Sequence, residues 1–174
     1  MHGWHRAPYA SKAETDANYT RMLDWALDRR RLSAVRIGIA SHNLFDVAWG
    51  RLLAEARGVA GQVEVEMLQG MAPGIDRAVL AATGRVRLYT PVVAASDFDS
   101  ALAYLFRRLQ ENSHDENFLR SSFDLSRDRQ AFGREQSRFE ASVARRWQVS
   151  SEPRRRTLPD GPPAGFPGDN DWWH

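Results

Sequence analysis

The chain of 174 residues has no cysteine. That absence excludes disulfides, thiolate metal ligands and a cysteine nucleophile. It has one lysine, Lys12, so almost all of its positive charge is arginine. No apolar run approaches the roughly 20 residues of a membrane-spanning helix. The first residues, Met1-His2-Gly3-Trp4-His5-Arg6, lack the apolar core of a signal peptide. The location expected on these grounds is cytoplasmic.

Positive charge in bulk is also missing. The formal net charge is only +2, although the isoelectric point is about 9.4. Arginine holds its proton far above neutrality, so a small excess of bases carries the isoelectric point upward. The runs Arg29-Arg30-Arg31 and Arg154-Arg155-Arg156 are not interleaved with aromatics and read as solvated. A basic nucleic-acid-binding module is therefore a weak reading. His2, His5 and His174 give no metal-ligand spacing, and no metal is expected.

What is present is a strand–helix alternation. Residues 1–11 read as a loose lead-in. The spacing predicts a helix over Thr15–Arg31, capped by Thr15 or Asp16, then a strand over Val35–Ala40 that ends at Ser41-His42-Asn43. A helix over Leu44–Ala56 follows, with Gly58 and Gly61 at its end. Next come a strand over Val63–Leu68, a helix over Ile75–Ala82, and a strand over Val86–Tyr89 extended toward Val93, with Pro91 weakening its later part. The next helix is Phe98–Glu111, and Phe123–Trp147 reads as one further helical stretch. Repeated strand–helix units imply parallel strands, an α/β class, and ligands at the carboxyl ends of the strands. The tail, 150–174, is rich in Pro, Gly and Arg and reads as a disordered linker.

The helix at 98–111 carries the most unusual face. Tyr104, Arg107, Arg108 and Glu111 stand at i, i+3, i+4 and i+7. Leu102, Leu105, Phe106 and Leu109 lie opposite, where they are expected to pack. Two adjacent guanidinium forks can grip a small carboxylate in a fixed geometry. Taken alone, the same face also fits a solvated surface with an Arg107–Glu111 pair. His42 alone likewise fits a structural role; its place at a strand end favours a functional one.

Four blocks together carry a family resemblance. They are Lys12-Ala13-Glu14-Thr15-Asp16-Ala17-Asn18-Tyr19, Ile39-Ala40-Ser41-His42-Asn43, Met67-Leu68-Gln69-Gly70-Met71, and Leu88-Tyr89-Thr90-Pro91-Val92 followed by the Tyr104–Glu111 motif. In this order the chain, over roughly Pro8–Phe123, resembles the FAD-dependent proline dehydrogenases, chiefly the proline dehydrogenase part of bifunctional proline-utilisation enzymes. Ser41 stands where the family segment usually has Thr.

The resemblance implies a distorted (β/α)8 barrel that oxidises L-proline to pyrroline-5-carboxylate, with hydride transfer to FAD and electrons passed to a membrane quinone. That electron transfer implies peripheral contact with the membrane. Arg107 and Arg108 would pair with the proline carboxylate, Tyr89 and Tyr104 would wall the substrate against the flavin, and Leu68 would pack near it. Ser41, His42 and Asn43 would lie beside the FAD; Lys12, Thr15, Glu111 and Phe118 would lie near it or shape its site.

A complete barrel needs eight strands and typically about 250 residues. The three strands here match the last three, so the chain reads as the C-terminal part of a barrel over 1–123, a helical extension over 124–149 and the tail over 150–174. Three parallel strands leave two open edges. The isolated chain is accordingly expected to be marginally stable or to need a complementary barrel fragment. The rival reading is a non-catalytic remnant or interaction fragment that binds no flavin.

Overall fold

The computed structural model describes residues 9–90, 92–112, 117–122 and 124–152, apart from the side chains of Pro73, Glu111 and Asn112. The expectations for residues 1–8, Pro91, Phe123 and the tail from 153 fall outside the described residues.

The first helix, α1, runs Lys12–Ala26. It begins and ends earlier than its apolar spacing predicts. Ser11, not Thr15 or Asp16, caps it: its Oγ accepts the Glu14 N–H at 3.2 Å, and Glu14 reaches back to the Ala10 N–H at 3.0 Å. This is a Ser-x-x-Glu capping arrangement, which outweighs the later candidates. At the other end Asp28 Oδ1 takes the Arg30 N–H at 2.8 Å, and that local turn replaces the helical ladder.

Strand β1 is Ile37–Ala40, shorter than expected because Val35 is exposed and lies outside the sheet. Helix α2, Leu44–Ala56, has the predicted limits. Beyond it Gly58 takes φ +68°, which only glycine adopts cheaply, and the chain turns through a short 3₁₀ helix at Ala60–Gln62. Strand β2 is Val63–Leu68. Helix α3, Pro73–Thr83, starts at a proline, whose missing N–H costs nothing in the first turn. Strand β3, Val86–Tyr89, stops there: Val92 and Val93 are outside the sheet and exposed. The remaining helices are α4 (Phe98–Asn112), α5 (Phe118–Ser122) and α6 (Arg129–Arg145). The single helix expected over 123–147 is therefore shorter. Asp128 Oδ1 caps α6 by accepting the Gln130 N–H at 2.7 Å, so the helix starts after residue 128.

The three strands form one parallel sheet in the order β1-β2-β3. Val63, Val65 and Met67 point into the core with Leu23, Ile39, Val47, Ala54, Ile75 and Val79. The alternate residues of β2, Glu64 and Glu66, lie on the other face. There Glu64 takes two hydrogen bonds from Arg87, at 2.8 and 3.1 Å, and pairs with Arg85 at 3.7 Å. Glu66 lies flat across β1, where a Cβ on Gly38 would fall 2.2 Å from its Cδ.

Helix α6 packs along α1. Asp24 of α1 joins it to two other elements, accepting from Arg57 after α2 and from Arg146 Nε at 2.8 Å after α6. Burial pushes the Asp24 carboxyl up, but the Arg57 and Arg146 guanidiniums override it and hold the group below the usual carboxylate range. Phe45 gathers Phe118, Phe132 and Phe139 around it at 6.3, 5.3 and 5.8 Å. Helix α4 differs from expectation. Its apolar side does not pack: Phe106 is 68% and Leu109 57% exposed. It contacts chiefly the Ala95–Asp97 turn and α5, and Leu102, Phe106 and Leu109 stay exposed.

Candidate active site

The carboxyl ends of the three strands place several of the predicted residues side by side. The register sets Leu68 directly opposite Tyr89, and the Gln69 N–H donates to the Tyr89 carbonyl at 2.8 Å. Thr90 Oγ1 donates to Gln69 Oε1 at 2.8 Å, closing the rim between β2 and β3. Tyr89 is half-exposed.

The β1 end is a compact polar turn. Asn43 is the N-cap of α2, its Oδ1 accepting the Phe45 N–H at 3.0 Å. Ser41 Oγ accepts the Asn43 N–H at 3.0 Å and donates to Asp46 Oδ2 at 3.2 Å. His42 Nε2 is buried with no hydrogen-bond partner among the described residues. Burial pushes the His42 imidazole below its ordinary pKa of 6.5, with the Leu68 backbone and the Asp76 charge pulling the other way. A buried, neutral, unsatisfied ring nitrogen is costly in a finished core. It is the kind of atom that a ligand satisfies.

Helix α1 closes the other side of this turn. Tyr19 donates its hydroxyl hydrogen to the Ala40 carbonyl at 3.1 Å. Burial, then the Asp46 carboxylate, raise the Tyr19 phenol well above its ordinary range. Lys12 pairs with Asp16 at 2.6 Å, and Thr15 Oγ1 donates to the Ser11 carbonyl at 3.1 Å. Both predicted residues therefore have local partners at the start of α1, and Lys12 and Asp16 are near enough to act on Asp46.

Of the α4 motif, Tyr104 and Arg108 are brought together, the guanidinium carbon 5.3 Å from the ring centroid. Arg107 is exposed and Arg108 half-buried. The side chain of Glu111 is outside the described residues. Phe118 is 5% exposed and meets Phe45 edge to face, so it acts here as a core residue. Sequence reasoning gave no role to Asp46, Tyr19, Gln69 or Thr90. Tyr19 ends the Lys12–Tyr19 block, and Asp46 stands three residues past the Asn43 cap; those two positions were the available signals.

Comparison with known proteins decides the family. The Proline dehydrogenase family model matches residues 1–121. The chain belongs to this family. A solved structure of Proline Utilization A from Corynebacterium freiburgense is 48% identical, with a TM-score of 0.71 over 91% of this chain. Another, proline utilization A from Bdellovibrio bacteriovorus inactivated by N-propargylglycine, is 31% identical, with a TM-score of 0.62 over 78% of it. The chain covers 14% and 13% of those two proteins. No curated protein matches the sequence. As a proline dehydrogenase family member it carries no helix, among the described residues, long and apolar enough to cross a membrane.

Proposed function

We propose that this chain supplies part of the substrate and flavin site of a (β/α)8-type proline dehydrogenase, the last three strand–helix units of the barrel. The reaction is oxidation of L-proline to pyrroline-5-carboxylate, with quinone as the final electron acceptor. The observation that carries this reading is the unpartnered, buried His42 Nε2 at the head of a parallel sheet, in a chain of this family.

The residues present fit a flavin. Ser41, His42 and Asn43 offer a turn of polar groups at a strand end, where parallel α/β proteins bind cofactors. Lys12 and Thr15 stand on α1, whose first turns lie by that turn, Glu111 is in the last turn of α4, and Phe118 opens α5 after it. FAD bound there supplies the hydride acceptor. This chain's own contribution is to bind and orient proline. Arg107 and Arg108 would hold its carboxylate, Tyr104 and Tyr89 would flank its ring, and Leu68 would exclude water beside it. Oriented forks of this kind suit a carboxylate better than point charges do.

The sheet has unpaired edges at β1 and β3 among the described residues, and the apolar side of α4 is exposed. We take both as the contact surface for the other barrel strands, supplied by a complementary fragment. A purified chain incubated with FAD and then desalted tests the reading. Retained flavin absorbance that L-proline bleaches is the expected result, with or without the complementing strands added. Absence of flavin in both cases would leave the rival reading, a remnant without catalysis.

A further inference from the structure

We propose that Asp46 is a positioning residue: through Ser41 it fixes the 41–43 turn, so that His42 Nε2 is kept buried and available to a ligand. The inference rests on the reading above only for the identity of that ligand, the flavin.

An acidic residue in the first turn of a helix ordinarily serves the free N–H groups or the helix dipole. Asp46 does something else. Its Oδ2 accepts from Ser41 Oγ at 3.2 Å, Ser41 Oγ accepts the Asn43 N–H at 3.0 Å, and Asn43 Oδ1 accepts the Phe45 N–H at 3.0 Å. These three bonds close a loop around His42. Residue 41 must donate and accept at once, which a hydroxyl does and an alanine cannot. That explains physically why Ser here can replace Thr. Tyr19 anchors the residue before the turn through the Ala40 carbonyl at 3.1 Å.

The carboxylate is held there against its own solvation. Burial first, then Asp16, push Asp46 up to about 6, while Ser41 and Lys12 oppose the rise. The charged and titratable groups around it are Lys12, Asp16 and Tyr19 on α1, with Glu66 on β2 acting on Tyr19. A buried carboxyl kept for helix stability alone would be better replaced by an apolar residue. A role in setting the turn accounts for a carboxylate at this position.

The test uses the full chain with ¹⁵N-labelled histidine, the His42 signal being assigned by its loss in His42→Gln. In the wild type His42 is expected to titrate below 6.5. Ser41→Ala and Asp46→Leu should free the turn and return His42 to about 6.5, the ordinary value. Asp46→Asn, which keeps an acceptor for Ser41, should stay with the wild type. An unmoved His42 in both Ser41→Ala and Asp46→Leu overturns the proposal. Should Asp46→Leu lose its circular dichroism, Ser41→Ala, which deletes one oxygen, decides alone. A second readout is FAD affinity by flavin fluorescence, expected to fall about tenfold, or about 1.4 kcal/mol, in the two disruptive variants only. A wild-type chain that takes up no FAD would refute the flavin reading, yet leave the histidine titration to judge Asp46.

Discussion

Thr20 Oγ1 and Ser142 Oγ lie 3.1 Å apart in a buried contact that joins α1 to α6. Each hydroxyl also donates within its own helix, Thr20 to the Asp16 carbonyl at 2.9 Å and Ser142 to the Phe139 carbonyl at 2.7 Å. Two hydrogens serve three contacts, so one of them is shared. Removing either hydroxyl relieves that competition as well as breaking the bridge. Ser142→Ala and Thr20→Val should each cost only about 0.5–1 kcal/mol, and the double variant less than their sum. Hydrogen-exchange protection of α6 amides measures this.

Asp24 and Asp46 should drive stability in opposite directions with pH. The folded-state value of Asp24 is lowered. Its contribution is present above the unfolded value, near 3.8, and is lost as pH falls through the lowered value. Asp46 is raised from 3.8 to about 6. Its folded form holds the proton more tightly, so its favourable share is full below 3.8 and gone once pH passes 6. Asp24→Asn should flatten the acid limb of a urea-midpoint profile. Asp46→Asn should flatten the range between pH 4 and 6 and raise stability at pH 7 by about 3 kcal/mol.

Two glycines should respond differently to a methyl group. At Gly38 the new Cβ meets the Glu66 carboxyl, the end of a flexible side chain that can swing aside. At Gly50 it falls 2.8 Å from Ile39 Cδ1, a fully buried group in the core. Gly38→Ala should change stability by less than about 0.5 kcal/mol. Gly50→Ala should cost about 1–2 kcal/mol, because overpacking outweighs the gain in helix propensity. Thermal midpoints of the two variants check the contrast.

Arg107→Met bears on the proposed clamp. In a complete enzyme carrying this segment, it should raise the KM for proline about tenfold or more while flavin stays bound, since a charge-assisted pair to a carboxylate is worth about 1.5–3 kcal/mol. An unchanged KM would remove Arg107 from the clamp.

The elements legible in the sequence were those whose pattern is local. In β2, Val63–Glu66 alternates apolar and charged residues, and α2 carries apolar residues on one side between Asn43 and Gly58. Both have the predicted limits. The helix limits shifted where capping chemistry competed with apolar spacing, at Ser11, Asp28 and Asp128; the strand limits shifted where Val35, Val92 and Val93 stay outside the sheet. The strand-end turn was legible as a location, because polar residues follow β1 abruptly. Its wiring was not. The bond from Ser41 to Asp46 crosses the start of α2, and that from Tyr19 to Ala40 joins separate elements; neither leaves a period in the sequence. Phe118 also packs edge to face on Phe45, a tertiary contact that leaves no local pattern in the sequence.

The polar face of the sheet has a bearing on assembly. Glu64 and Glu66 are balanced there by Arg85 and Arg87, and the contacts run between neighbouring strands. Both carboxylates already have guanidinium partners on that face before anything covers it, and Arg36 acts on Glu64 as well. An incoming set of strands need bring no counter-charge, so recognition falls to the backbone edges of β1 and β3 and to the shape left beside Gly38. Such an assembly would be chosen by register, and its strength would vary little with salt.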